Sequence, residues 1–223
     1  MKGKLEEALE KASELLLEKV KPNIIVGLGS GSSVARFVKR LKGYNLKVVC
    51  SSWQIQLIAE EMDLEVLSQL PKKIDLHVDG ADQISEEYSM IKGYGGALFK
   101  EKLLMLKAKE RIIIADEQKF SKRLNKPVPV EFIPFSKNYV EEALIKIDGK
   151  PSLRLLEKGY PYITDNGNFI FDTNFGEIKD AKELEKKIKA ITGVLEVGLF
   201  NLKLSSIYKA KLDGEVEILV FKI

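Results

Sequence analysis

One cysteine, one histidine and one tryptophan occur in 223 residues, and each scarcity removes a class of chemistry. A lone Cys50 forms no internal disulfide and builds no cysteine-ligated metal cluster, which suits a reducing cytosol. A lone His77 excludes multi-histidine metal sites and argues against a Ser-His-Asp hydrolase. No apolar run approaches the length of a membrane span. Lysine and arginine total 36 against 33 acidic residues, and no basic block marks a nucleic-acid footprint. The first residues, MKGKLEEALEKASELLLEKV, place Leu5, Ala8, Leu9, Ala12, Leu15 and Leu16 at helical spacing among charges. They predict an amphipathic helix, not a secretory signal. The expectation is a cytoplasmic protein without membrane or nucleic-acid partners, whose chemistry rests on carboxylates, lysines and backbone dipoles.

What is present is an ordinary globular balance, 45% hydrophobic and 31% charged, with length for one large domain or two modest ones. In the first half short apolar strands alternate with amphipathic helices. The strands are NIIV near 23–26, LKVVCSS at 46–52, KIDLHVDGAD at 73–82 and RIIIAD at 111–116. The helices follow the glycine-serine loop after 28, begin at WQIQLIAEEM, and span 97–109. This alternation predicts a parallel sheet covered on both faces, with ligands beyond the carboxyl ends of its strands. From KPVPVEF onward the rhythm changes. Strand 128–135, helix 139–147, strand 152–156, strand 168–172, helix 180–191 and strand 194–199 give the order of a ferredoxin-like module. The last segment predicts a hairpin turning at Asp213-Gly214. The expected fold is therefore α/β: a Rossmann-like parallel-sheet domain (1–126 plus 201–223) with a smaller α+β domain (127–200) inserted near the C-terminus.

Three segments lie at strand ends, GLGSGSS, DGAD and the ADEQK after RIIIAD, and a glycine loop at 92–96 adds to them. GLGSGSS (27–33) joins a strand to a helix, so glycines allow close backbone approach while the helix N-terminus presents unpaired N–H groups to an anion. Its spacing matches neither the dinucleotide fingerprint nor the P-loop. The plain alternative is a connection capped by Ser33. Asp79 and Asp82 of DGAD could share a proton, bind a divalent metal or orient sugar hydroxyls, or simply close an Asx-turn. Lys92 precedes Gly93-Tyr94-Gly95-Gly96, a second source of close-approaching amides. Glu101 falls in the second turn of the following helix, beside its apolar face. A solvated helix carboxylate is the alternative there. His77, alternating with Leu76 and Val78, reads as a hydrogen-bonded structural histidine, and Cys50 as a small buried hydrophobe. Trp53 is either core or an oligomer contact.

VGLGSGSS, DGADQI, KGYGGALFKEK and IADEQK, in this order and at these separations, resemble the four signature segments of the type A ribose-5-phosphate isomerases. TDNGN and GVLEVGLF resemble later segments of the same family, so the likeness covers nearly the whole chain. The resemblance implies that Ser30, Gly31, Ser32 and Ser33 hold a substrate phosphate. It places Asp79, Gly80, Ala81, Asp82, Lys92, Gly93, Tyr94 and Gly95 around the sugar, adds Lys119 as a substrate contact, and makes Glu101 the proton-transferring base. The family usually carries Thr at position 33, Glu at 83 and Gly at 94, where this chain has Ser33, Gln83 and Tyr94. It implies a homodimer or homotetramer and needs no metal or organic cofactor.

That chemistry matches the residue types. Aldose-ketose conversion moves one proton between adjacent carbons through an enediolate, which one carboxylate can perform on one face. Lys92 and loop amides would stabilise the enediolate oxygen. Asp79 is the candidate for ring opening, with Asp82 orienting hydroxyls. The phosphate is a remote handle holding the reacting carbons in place. Two rivals are a non-catalytic phosphosugar sensor and an acyl- or CoA-transferring enzyme with a glutamate nucleophile. The first would normally carry a helix-turn-helix ahead of the first strand, and the second a larger adenine pocket; neither is marked in the sequence.

Overall fold

Strand and helix periods alternate along the chain as the apolar spacing requires. The computed structural model describes residues 2–222. From the N-terminus run α1 (Lys2–Leu15), β1 (Ile25–Leu28), α2 (Gly31–Lys39), β2 (Lys47–Cys50), α3 (Trp53–Glu61), β3 (Glu65–Val66) and β4 (Ile74–Asp79). Short strands β5 (Gln83–Ser85) and β6 (Met90–Ile91) precede α4 (Leu98–Lys107) and the long β7 (Ala108–Asp116). Next come β8 (Phe120–Ser121), β9 (Val128–Phe132), α5 (Lys137–Lys146), β10 (Lys150–Leu153) and β11 (Phe169–Asn174). The chain ends with α6 (Ala181–Lys189), β12 (Val194–Val197), β13 (Leu199–Phe200), β14 (Ser206–Ala210) and β15 (Val216–Val220). Among the described residues no helix is long and apolar enough to cross a membrane.

Contacts gather the chain into two units. The larger comprises residues through 81, 100–119 and from 202 onward; the smaller comprises 82–99 and 120–201. The larger is built on a seven-stranded sheet ordered β15-β14-β7-β4-β1-β2-β3, parallel except for the final β14–β15 hairpin. Val26, Leu28, Val48, Leu76 and Val78 meet Ala8, Ala12, Phe37, Val38 and Ile55 from α1, α2 and α3 in the main core. Val49, adjacent to Val48, instead joins Leu104 of α4 in a second cluster. Successive strand residues face opposite sides, so helices cover both faces. The chain runs from β1 outward through β2 and β3, then returns to lay β4 on the other side of β1. That reversal between β1 and β4 is where parallel sheets open a crevice beyond their carboxyl ends.

The smaller unit holds an antiparallel sheet ordered β10-β11-β9-β12 with α5 and α6 interleaved in sequence, the ferredoxin-like arrangement. Phe132 stacks on Phe171 at 4.5 Å and meets Phe169 edge-on at 6.2 Å in its core. Strand β9 stops at Phe132, short of the expected 135, because Pro134 opens a 3-10 turn, Pro134–Ser136. A further small sheet, β13-β6-β5-β8, has no counterpart in the sequence reading, since strands of two or three residues carry no measurable period. It groups 82–99 and 120–126 with the smaller unit, whereas the sequence expectation drew that domain at 127–200.

Candidate active site

At the sheet reversal the chain leaves β1 through Gly29 and Ser30 and enters α2 at Gly31. Gly29 is fixed by space: a Cβ there would lie 1.9 Å from Asp79 Oδ1. Gly31 is fixed by conformation, with φ +84° in the region that disfavours side chains. Ser30 is the N-cap of α2, extended at φ −129°, yet its side chain makes no capping bond. The plain alternative of a Ser33 cap therefore does not hold. The Ser30 hydroxyl donates instead to Glu101 Oε1 at 2.5 Å, while its backbone N–H donates to Asp79 Oδ1 at 3.3 Å. One serine thus ties together two carboxylates that lie 49 and 71 positions away in sequence.

Glu101 is 2% exposed, which rules out the solvated reading. It sits in the first turn of α4, not the second, where the helix dipole favours a negative side chain. Asp79, fully buried at the end of β4, also accepts from the Gly80 N–H at 2.8 Å. Its Oδ2 lies 3.3 Å from Nε2 of His77, whose Nδ1 faces the Gly27 carbonyl at 3.1 Å. A neutral imidazole carries hydrogen on one nitrogen only, so one of these contacts would lack a proton. The sequence reading gave His77 a structural role and missed this pairing; residues two apart on one strand share a face, which was the available signal.

Ser32 is exposed and Ser33 half-buried in the first turn of α2, a turn with no acidic residue to compete for an anion. Gly80 and Ala81 are half-buried after β4. Lys119 closes the 3-10 turn after β7.

The smaller unit carries the other sequence-predicted residues. Lys92 is 2% exposed, with its ammonium 5.4 Å from the Phe200 ring centroid and its N–H bonded to Gly198 O. Gly93 adopts φ +103°, and a Cβ there would lie 2.8 Å from Leu98 Cβ. The Tyr94 N–H donates to Asp82 Oδ2 at 3.1 Å and its hydroxyl donates to Pro127 O at 3.1 Å. Burial, with the Asp82 and Asp172 charges adding, pushes the Tyr94 phenol up to about 12, so it stays a protonated donor at neutral pH. Gly95 is exposed, and its carbonyl accepts from the Tyr162 hydroxyl at 3.1 Å. Arg154 and Tyr162, which the sequence reading did not single out, both bind this loop.

The model of ribose 5-phosphate isomerase A (phosphoriboisomerase A) matches residues 47–214. The ribose-5-phosphate isomerase A of Methanosarcina acetivorans is 41% identical over 209 residues, 90% of this chain and 88% of that protein. The chain belongs to the ribose 5-phosphate isomerase A family. The family fold is equally close. The structure of ribose 5-phosphate isomerase A from Methanocaldococcus jannaschii superposes with a TM-score of 0.90 at 31% identity, covering 97% of this chain and 99% of that one. A D-ribose-5-phosphate isomerase in complex with phospho-erythronic acid gives 0.91 at 33% identity, with the same coverage.

The chain's departures from the usual family residues have local explanations. Tyr94 has no positive φ, so a Cβ costs no backbone strain there. Gln83 donates to Asn125 Oδ1 at 2.7 Å and accepts from the N–H groups of Asn125 and Lys126. The donated bond needs an amide; a glutamate could only accept. Ser33, where the resemblance implies threonine, keeps a hydroxyl.

Proposed function

We propose that this chain interconverts D-ribose 5-phosphate and D-ribulose 5-phosphate by proton transfer through an enediolate. The observation that carries the reading is Ser30: the residue that caps the anion-facing end of α2 also hydrogen-bonds the buried Glu101. A phosphate seated on residues 30–33 is then held by the same serine that fixes the base. Glu101 removes the proton from C2 of the open aldose, giving an enediolate with negative charge on O1. The O2 hydroxyl proton passes to O1, and Glu101 returns its proton to C1, leaving the ketone at C2. No net proton is consumed.

Asp79, at the end of β4 beside His77 and Ser30, is assigned ring opening. Asp82, Gly80 and Ala81 are assigned to sugar hydroxyls, and Lys92 with the amides of Gly93 and Gly95 to the oxygens that gain charge, while Tyr94 holds the loop through its N–H to Asp82. Lys119 is assigned to the substrate on the family resemblance alone. The single free Cys50 suits a cytoplasmic location. Ile133, Phe135 and Tyr139 expose apolar area on the smaller unit, which suits a homodimer or homotetramer.

Turnover of ribose 5-phosphate by the purified protein, followed as ketose formed, tests the reading. Reaction in D₂O should place solvent deuterium at C1 of the product. Binding of ribose 5-phosphate or phospho-erythronic acid without turnover would replace the isomerase with a phosphosugar sensor.

A further inference from the structure

The glycine loop 93–96 is held from one side by an apparatus with no assigned role. Arg154 forks onto Asp172, Nε to Oδ2 at 2.9 Å and Nη2 to Oδ1 at 2.5 Å. Its remaining Nη1 donates to two consecutive loop carbonyls, Gly93 O at 3.0 Å and Tyr94 O at 3.1 Å. The third carbonyl, of Gly95, takes the Tyr162 hydroxyl. The Tyr94 and Tyr162 rings flank the guanidinium at 6.0 and 5.7 Å. Gly96 completes the fit, since a Cβ there would lie 2.2 Å from the Tyr162 oxygen.

In a planar trans peptide the C=O and N–H point in opposite directions, so fixing three carbonyls fixes the three following amides. The Tyr94 N–H is taken by Asp82 and the Gly96 N–H by Gly93 O at 3.0 Å. Among the described residues no acceptor takes the Gly95 N–H. It is directed away from Arg154 on an exposed glycine.

The TDNGN turn supports the same apparatus. The fully buried Glu131 accepts from Thr164 Oγ1, Asn166 Nδ2 and Asn168 Nδ2 at 2.9–3.0 Å. These bonds lock the turn that follows Tyr162, and the Tyr162 N–H bonds to Arg154 O at 2.9 Å. Burial raises the Tyr162 phenol above its ordinary value, keeping it a donor.

We propose that Arg154 and Tyr162 are positioning residues that set the Gly95 N–H as a donor to an oxygen of the sugar. The proposal rests on the isomerase reading. The Gly95 amide then contributes where substrate oxygen gains negative charge, and the two side chains act through it without touching substrate.

The test compares Tyr162→Phe, which removes one oxygen, and Arg154→Lys, which keeps the charge but loses the fork. Each is measured for kcat and KM on ribose 5-phosphate, for inhibition by inorganic phosphate, and for Tm. Misplacing one preorganised donor predicts a fall in kcat/KM of about tenfold to a hundredfold in each variant. Inhibition by inorganic phosphate, which reads the 30–33 loop, should stay within about twofold, because a single phosphate does not report on sugar contacts. Wild-type kcat/KM in a folded Tyr162→Phe overturns the proposal. So does a parallel weakening of phosphate inhibition, which would mark a general structural defect. An active parent with indifferent variants removes only the positioning role; an inactive parent removes the isomerase reading and this proposal with it.

Discussion

Replacing Glu101 by Gln removes the proposed base while keeping its shape. The side chain is 2% exposed and receives the Ser30 hydroxyl at 2.5 Å. Glutamine retains a carbonyl oxygen to accept that bond, so the structural loss is the difference between a charge-assisted and a neutral hydrogen bond, about 1 kcal/mol. For a chain of this size that corresponds to a Tm lowered by roughly 2–4 °C. The kinetic loss is of a different order. General-base catalysis contributes about 10²- to 10⁴-fold, or roughly 2.7–5.4 kcal/mol of barrier. The amide cannot take a proton from C2, so kcat should fall by at least a hundredfold while KM changes little, because the phosphate handle is untouched. Steady-state turnover of ribose 5-phosphate, deuterium incorporation at C1 and a thermal melt together check this. A folded Glu101→Gln variant with kcat within about threefold of the parent would refute the reasoning, since no other change in that position accounts for proton transfer.

Gly29→Ala should be as damaging as a change in the base: its Cβ would meet Asp79 Oδ1 at 1.9 Å, and moving Asp79 also disturbs Ser30. Overpacking of this kind costs about 1–3 kcal/mol, so a melt should show a drop of several degrees beside a large loss of kcat/KM, and normal kinetics would contradict the tight approach. Lys92→Met should lower kcat by about 10²-fold if its ammonium meets the enediolate oxygen, and an unchanged kcat would free Lys92 of that role. Alkaline stability is set partly by Cys50, whose thiol is pushed from 9.0 up to about 12, first by burial and then by the Glu60 charge. A raised folded value stabilises the protonated form, so the contribution is intact below pH 9 and is lost as pH rises toward 12. Urea unfolding across that window should show a steeper decline for the parent than for Cys50→Ala; parallel declines would rule out the thiol.

Much of the fold is legible in the chain because it depends on local periods. Val26, Leu28, Val34, Phe37 and Val38 mark a strand passing into a helix, and the Gly-Ser run between them marks the turn. The order β-α-β-β-α-β of the smaller unit reads the same way. What escaped were β3, β5, β6, β8 and β13, whose two- and three-residue lengths are below any period, and the end of β9, where Pro134 overrode the apolar run. Tyr94 stands where the resemblance implies glycine; its φ is not positive, so the side chain brings no backbone strain, and its hydroxyl finds Pro127 O.

The amino-acid order alone determined that a glycine-serine turn meets a helix N-terminus, and that histidine and cysteine are limited to one residue each. Only the tertiary structure decided that Ser30 bridges Asp79 and Glu101, and that Arg154 reaches back 61 positions to Gly93. Such contacts follow from which strands become neighbours and in what register. Strand order is chosen by burial across the whole sheet, so it leaves no trace in the spacing of adjacent residues.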